Sequence, residues 1–295
     1  MSRRDSAKII IFTKICPCID EGHVDILPIT HKSDRDNISH LQSLIQTYIS
    51  RGMAFKMFTN SDLMIGVVRN MVLTGEISHD DVVVICGDNE FWFNDSGYWD
   101  APSRDNWEKL DSSLGHTWDC FHDLMKMVCS YEENRPNNPP EGKNVQVFID
   151  CELYNLPHTI DTVISPSLTH DKNKERMRDY IEKETKENGV ARILAMSGSV
   201  VDIIRFMIAT GELNHKDVYF RYKGMTFQVN EKAEFNESHL DEDGTDIVQK
   251  ATDFLYSADL DLHTRNCLIA SEMEMKKRKQ EKGASQNVTT REPGQ

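Results

Sequence analysis

The chain has 295 residues, with 48 acidic against 34 basic side chains and a formal net charge of −14. Charge of that sign is repelled by phosphate backbones, so nucleic acid is a poor general partner and a basic protein surface a better one. No apolar run is long enough to span a membrane and the N-terminal run is too short for a signal peptide. The seven cysteines, an odd number, suit reduced thiols, so a cytoplasmic location is expected.

In chain order, KIIIF (8–12) reads as a first strand, followed by a loop and a polar-rich helix over about 36–50 that Gly52 stops. AFKMF (54–58) is a second strand. The next helix carries Leu63, Met64, Val67, Val68, Met71 and Val72, a wide apolar stripe suited to packing on a sheet. Gly75 ends it, where a left-handed backbone costs least. DVVVI (81–85) is a third strand, Asp88-Asn89 reads as a turn, and EFWFND (90–95) follows. Residues 103–133 suggest one or two closing helices. YEENRPNNPPEGKN (131–144) is a proline-rich linker.

After the linker the same series returns: VQVFI, a helix over about 171–187 stopped by Gly189, ARILA, an apolar helix, Gly211, DVYFR, a Lys223-Gly224 turn and TFQVNE. TDIVQKATDFLYSADL (245–260) closes it, and a polar tail from about Met273 reads as unstructured, with MKKRKQEK a solvated helix end. An offset of 136 aligns the two series without a gap. Between Ser61 and Asp95, 11 of 35 positions are identical across that offset, against about two by chance at ordinary residue usage. Arg69, Glu76, His79 and Asp81 recur as Arg205, Glu212, His215 and Asp217. A period this long implies a duplicated domain, and these residues read first as a joint: helix stop, short polar connection, re-entry into the sheet.

The expected architecture is therefore α/β, with two tandem Rossmann-like βαβαβ lobes and mostly parallel sheets. The first repeat with its closing helices occupies 1–130, the linker 131–143, the second repeat 144–272 and the tail 273–295. Strand alternation sends Phe91 and Phe93 to one face and Trp92 to the other. Trp92, Tyr98 and Trp99 form a candidate partner-binding cluster; Trp99 aligns with Phe235, which also suits a buried role.

VFIDCELYNLP, ILAMSGSVVDIIRFM and TGELNHKDVYF in copy two, with IIIFTKICPCID, KMFTNSDLMIGVVRNM and TGEISHDDVVV in copy one, resemble the C-terminal half of ABC-type, SMC-like ATPases, from the Walker B strand onward. Such an enzyme needs a metal-holding Asp, a following Glu, a γ-phosphate-sensing His and a glycine-rich P-loop. Copy two keeps Asp150 but has Cys151 at the Glu position and Met196 at the His position. Copy one has Lys14 at the metal position and Asn60 at the His position, and no GxxxxGK[ST] occurs. The resemblance thus implies an inactive descendant without a cofactor. VQVFIDCELYNL is also similar to the opening strand of PIN- and NYN-like nucleases, which would make Asp150 and Asp62 catalytic and call for Mg²⁺ or Mn²⁺; Gly198 and Ser199 stand where further carboxylates are needed.

Other constellations point to no chemistry. Cys16 and Cys18 with His23 and His31 lack zinc-finger spacing. Cys120, His122 and Asp123 fit an amphipathic helix. The expected function is a non-enzymatic protein-binding or regulatory module built from duplicated inactive ATPase-like lobes, an inhibitor or partner of a genuine ATPase, which a virus or mobile element could encode. The alternatives are a metal-dependent nuclease and an acidic decoy of a nucleic-acid-binding protein.

Overall fold

The structure is a computed structural model that describes residues 6–13, 25–26, 32–59, 61–100, 142–149, 170–235, 240, 244 and 246–288. It is mixed α/β, with two mostly parallel sheets and helices packed on them. The first sheet contains β1 (Ile9–Phe12), β2 (Asp25–Ile26), β3 (Phe55–Phe58), β4 (Val82–Cys86), β5 (Asn89–Phe93) and β6 (Trp99–Asp100), in the order β2-β3-β1-β4-β5-β6. Strands β2, β3, β1 and β4 are parallel; β5 and β6 turn back antiparallel. The second sheet has β7 (Val145–Ile149), β8 (Ala191–Ala195), β9 (Val218–Tyr222) and β10 (Met225–Phe227), in the order β10-β9-β7-β8. Here only β10 is antiparallel.

Register follows the same offset as the sequence. Ile9 lies beside Phe55 and Val82; Val145, 136 positions on, lies beside Ala191 and Val218. Val84 faces Phe91, and Phe220 faces Phe227. The hairpin turn after β4 is Gly87-Asp88, one residue earlier than the sequence suggested, because Cys86 pairs with Asn89. Gly87 and Lys223 both take positive φ, 62° and 47°, as a two-residue hairpin turn requires.

Helices α1 (Asp34–Ser50) and α2 (Asp62–Leu73) pack on one face of the first sheet, and α3 (His170–Asn188) and α4 (Gly198–Ala209) on one face of the second. Ser33 caps α1 by accepting from the Asp36 N–H, one of the four donors a helix start leaves orphaned. Gly75 and Gly211, φ +76° and +75°, follow the caps of α2 and α4. The two sheets differ on their other faces. All of β4, VVVIC, is buried, because Val83 and Ile85 join Ala7, Phe12 and Phe58 in a second apolar layer. In β9, VYFRY, burial alternates and Tyr219 and Arg221 are exposed. A continuous β-branched run marks a strand covered on both sides; alternation marks one covered on a single side.

The last helix, α5 (Ile247–Val288), departs most from expectation. The sequence suggests a short closing helix and an unstructured tail from Met273, but the helix continues to Val288. Its buried stripe runs Ile247, Val248, Ala251, Leu255, Ala258, Asp259, Leu262, Asn266, Ala270. The first four join the core of the second unit and Leu262 joins the core of the first. One helix thus belongs to both units, because spacing of three and four keeps the stripe on one side along its length. No helix among the described residues is long and apolar enough to cross a membrane.

Candidate functional site

The repeated motif forms the same joint in both units. Thr74 and Thr210 donate to the carbonyls of Asn70 and Phe206, each at 3.0 Å. Glu76 N–H donates to Met71 O at 2.9 Å and Glu212 N–H to Met207 O at 2.8 Å. The two carboxylates then tie the joints to α1 and α3: Glu76 accepts from Gln46, and Glu212 accepts two bonds from Arg178 at 2.6 and 2.9 Å. Glu212 raises the Arg178 pKa further, chiefly through that side-chain bond. Asp81 pairs with Lys8 at 3.0 Å, and Asp217 accepts from the Gly142 N–H at 3.0 Å. His79 lies 3.6 Å from the Asp80 carboxylate, and the His215 carbonyl accepts from Gln228.

Arg69 and Arg205 each clasp a tight turn. Arg69 Nε donates to Gly97 O at 2.7 Å and Arg205 Nε to Ala233 O at 2.8 Å. In each turn an Asn carboxamide oxygen, Asn94 or Asn230, accepts two backbone N–H groups. Gly97 and Ala233 both sit at positive φ, 68° and 61°. Glycine holds that conformation without strain; alanine does not. Six of the eight repeated residues therefore make structural side-chain bonds, and His215 bonds through its carbonyl.

In an open parallel α/β sheet, ligands bind beyond the carboxyl ends of the strands, at helix N-termini. Two such ends among the described residues are where α2 follows β3 and α4 follows β8, and α5 passes both. At the second, the Tyr256 ring fills the space in front of Gly198, the first residue of α4. A Cβ on Gly198 would lie 2.5 Å from Tyr256 Cδ1 and 3.0 Å from Cζ, and closer still to Cε1. Tyr256 Oη donates to Asp202 Oδ1 at 2.6 Å, and Arg205 bonds the same oxygen at 3.2 Å. Burial pushes Asp202 up to about 6, with Arg205 and the Tyr256 hydroxyl opposing the shift. Burial, then the Asp202 charge, pushes the Tyr256 hydroxyl well above its ordinary range.

At the first end α5 meets carboxyl groups. Asp34 opens α1, Asp62 opens α2, and Asp259 comes from α5; Asp34 and Asp259 are buried, at 6% and 8% exposure. Burial, then the charges of Asp259 and Asp62, pushes Asp34 up to about 8. Burial, then Asp62, pushes Asp259 up to about 7. Asp62 Oδ1 accepts from the Leu63 N–H at 2.8 Å. Two turns further along α5, Asn266 donates to Gly66 O at 2.9 Å and accepts from Asn70 at 2.7 Å. Among the described residues no three His, Cys, Asp or Glu side chains are placed to hold a metal ion. Asp150, Cys151, Lys14 and Asn60 lie outside the described residues, as do Cys16, Cys18, His23 and His31, the proposed closing helices and linker residues 131–141.

The aromatic cluster divides. Trp99 is half-buried, stacked on Phe93 at 4.4 Å and edge-on to Phe91 at 6.4 Å. Trp92 is half-buried on the opposite face, against the layer containing Phe12 and Ile85. Tyr98 is 40% exposed and lies under the Arg69 guanidinium at 5.4 Å. Phe91 and Phe93 are in the core, as alternation required.

The sequence reading missed Asp34, Asp259, Tyr256 and Asn266. Only the interruption of an apolar helical stripe by Asp259 and Asn266 could have signalled the last helix. Comparison with protein-family models, curated proteins and solved structures gave no match.

Proposed function

We propose that the chain is a duplicated pair of Rossmann-like lobes that has given up ligand chemistry and acts as a protein-binding, regulatory module. The observation that carries this reading is the course of α5 across the two described strand ends where α2 follows β3 and α4 follows β8. In the second unit Tyr256 occupies that place. In the first, α5 brings Asp259 close enough to Asp34 and Asp62, at the starts of α1 and α2, for their charges to couple. The shared strand order, register and joint support descent of both units from one ancestor. The resemblance to ATPase halves makes a genuine ATPase the partner of choice, with exposed Tyr98 the first contact to test. Nothing in the described geometry favours the nuclease or decoy alternatives over this one.

Titration of a fluorescent ATP analogue with Mg²⁺ tests the closed-lobe part, with no saturable binding and no hydrolysis expected. Binding weakened by substitutions at the strand ends would refute it. Crosslinking and affinity capture from the native source, repeated with Tyr98→Ala, test the partner. Capture of an ATPase lost in the variant is the expected result; no ATPase in either would overturn that assignment.

A further inference from the structure

The α5 helix is held differently by the two units it joins. On the second unit the buried acid, Asp202, has a cation and a hydroxyl donor on it, Arg205 and Tyr256. The apolar stripe there is continuous: Ile247, Val248, Ala251 and Leu255. On the first unit the stripe is broken by Asp259 and Asn266, with only Leu262 between them entering the core. Neither Asp259 nor Asp34 is within ion-pair distance of a lysine or arginine among the described residues.

We propose that α5 is a latch, permanently seated on the second unit and reversibly docked on the first, which alkaline conditions release. The groups at the docking surface are Asp34 from α1, Asp62 from α2 and Asp259 from α5. Exposed Asp261 and His263 flank Leu262 on α5, and His263 lies 3.6 Å from Cys267 Sγ. Asp62 Oδ1 accepts from the Leu63 N–H of its own helix, and the two buried acids of the surface are Asp34 and Asp259. Both carboxyls bind a proton more tightly docked, at about 8 and about 7, than free. Docking is therefore strongest below the free carboxyl range of about 4 and is lost as pH rises through those two values. Release would uncover Gly66 and Asn70 on α2, the surface that Asn266 and Leu262 cover.

Hydrogen–deuterium exchange on the full chain tests this, at about pH 6 and about pH 9 and corrected for intrinsic exchange. The expected result is that residues 258–270 lose protection about tenfold or more beyond any loss in residues 247–256. Asp34→Asn and Asp259→Asn mimic the protonated carboxyls; each should shrink that difference, and the pair should remove it. A helix that loosens equally along both segments, or a double variant that keeps the wild-type pH response, would overturn the proposal. The comparison of segments within the unaltered chain stands even where a variant folds poorly.

Discussion

Substituting Gly198 by alanine asks whether Tyr256 really fills the start of α4. The added methyl would lie 2.5 Å from Tyr256 Cδ1, far inside carbon–carbon contact. The ring can move aside only by giving up its 2.6 Å bond to Asp202, an acid 1% exposed. Overpacking of this kind costs about 1–3 kcal/mol, against a helix-propensity gain of about 0.5–1 kcal/mol for replacing glycine. The net expectation for Gly198→Ala is a loss of about 1–2 kcal/mol, a fall of several degrees in melting temperature for a chain of this size. Gly66→Ala is the internal control. Its methyl would sit 3.5 Å from Leu262 Cδ2, an ordinary contact, so that variant should gain up to about 1 kcal/mol. Urea denaturation followed by circular dichroism reads both. A Gly198→Ala protein at least as stable as the parent would refute the account of α5 as a plug.

Three further outcomes follow from the bonding. Arg205→Gln should cost more than Arg69→Gln in chemical denaturation, about 3 against about 1 kcal/mol, because Arg205 alone also neutralises a buried carboxylate; equal losses would contradict that. Stability should fall as pH rises from about 4 to about 8, since burial raises Asp202, Asp259 and Asp34 above their unfolded values and a raised acid favours the folded state only while protonated. A thermal midpoint that climbs over that range would reverse the sign. Lys223→Asn should raise stability by about 0.5–1 kcal/mol, because Lys223 holds φ +47° in a hairpin turn that asparagine adopts more readily; no gain on thermal melting would count against strain there.

Local structure was legible because local residues decide it. The two apolar helices, the glycine stops and the Phe91/Phe93 alternation follow from period and propensity, and the second copy repeats each signal. Even the difference between the sheets is visible in VVVIC against VYFRY. The candidate site was not legible, because its parts come from distant stretches. Asp34 looks like an ordinary solvated acid opening a helix, and nothing near it in sequence announces Asp259, more than 200 positions away. The length of α5 was missed for a related reason. Polar composition after Met273 suggests a solvated chain, whereas helix continuity upstream is set by tertiary burial of Leu262, Asn266 and Ala270. Proximity in sequence groups Trp92, Tyr98 and Trp99, whereas packing puts Trp92 and Trp99 on opposite sides of the sheet.

The Asn70–Asn266 pair acts as an indexing pin. Each amide finds its partner at one axial setting of α5, with the Gly66 carbonyl completing the set. Sliding the rod by one turn, about 5.4 Å, would bring Ala270 or Leu262 opposite Asn70 and strand polar atoms in a dry seam. Apolar stripes alone tolerate such slippage; this one has a single tooth. Any displacement of α5 against α2 must then be all-or-none, a click from engaged to free with no stable halfway stop.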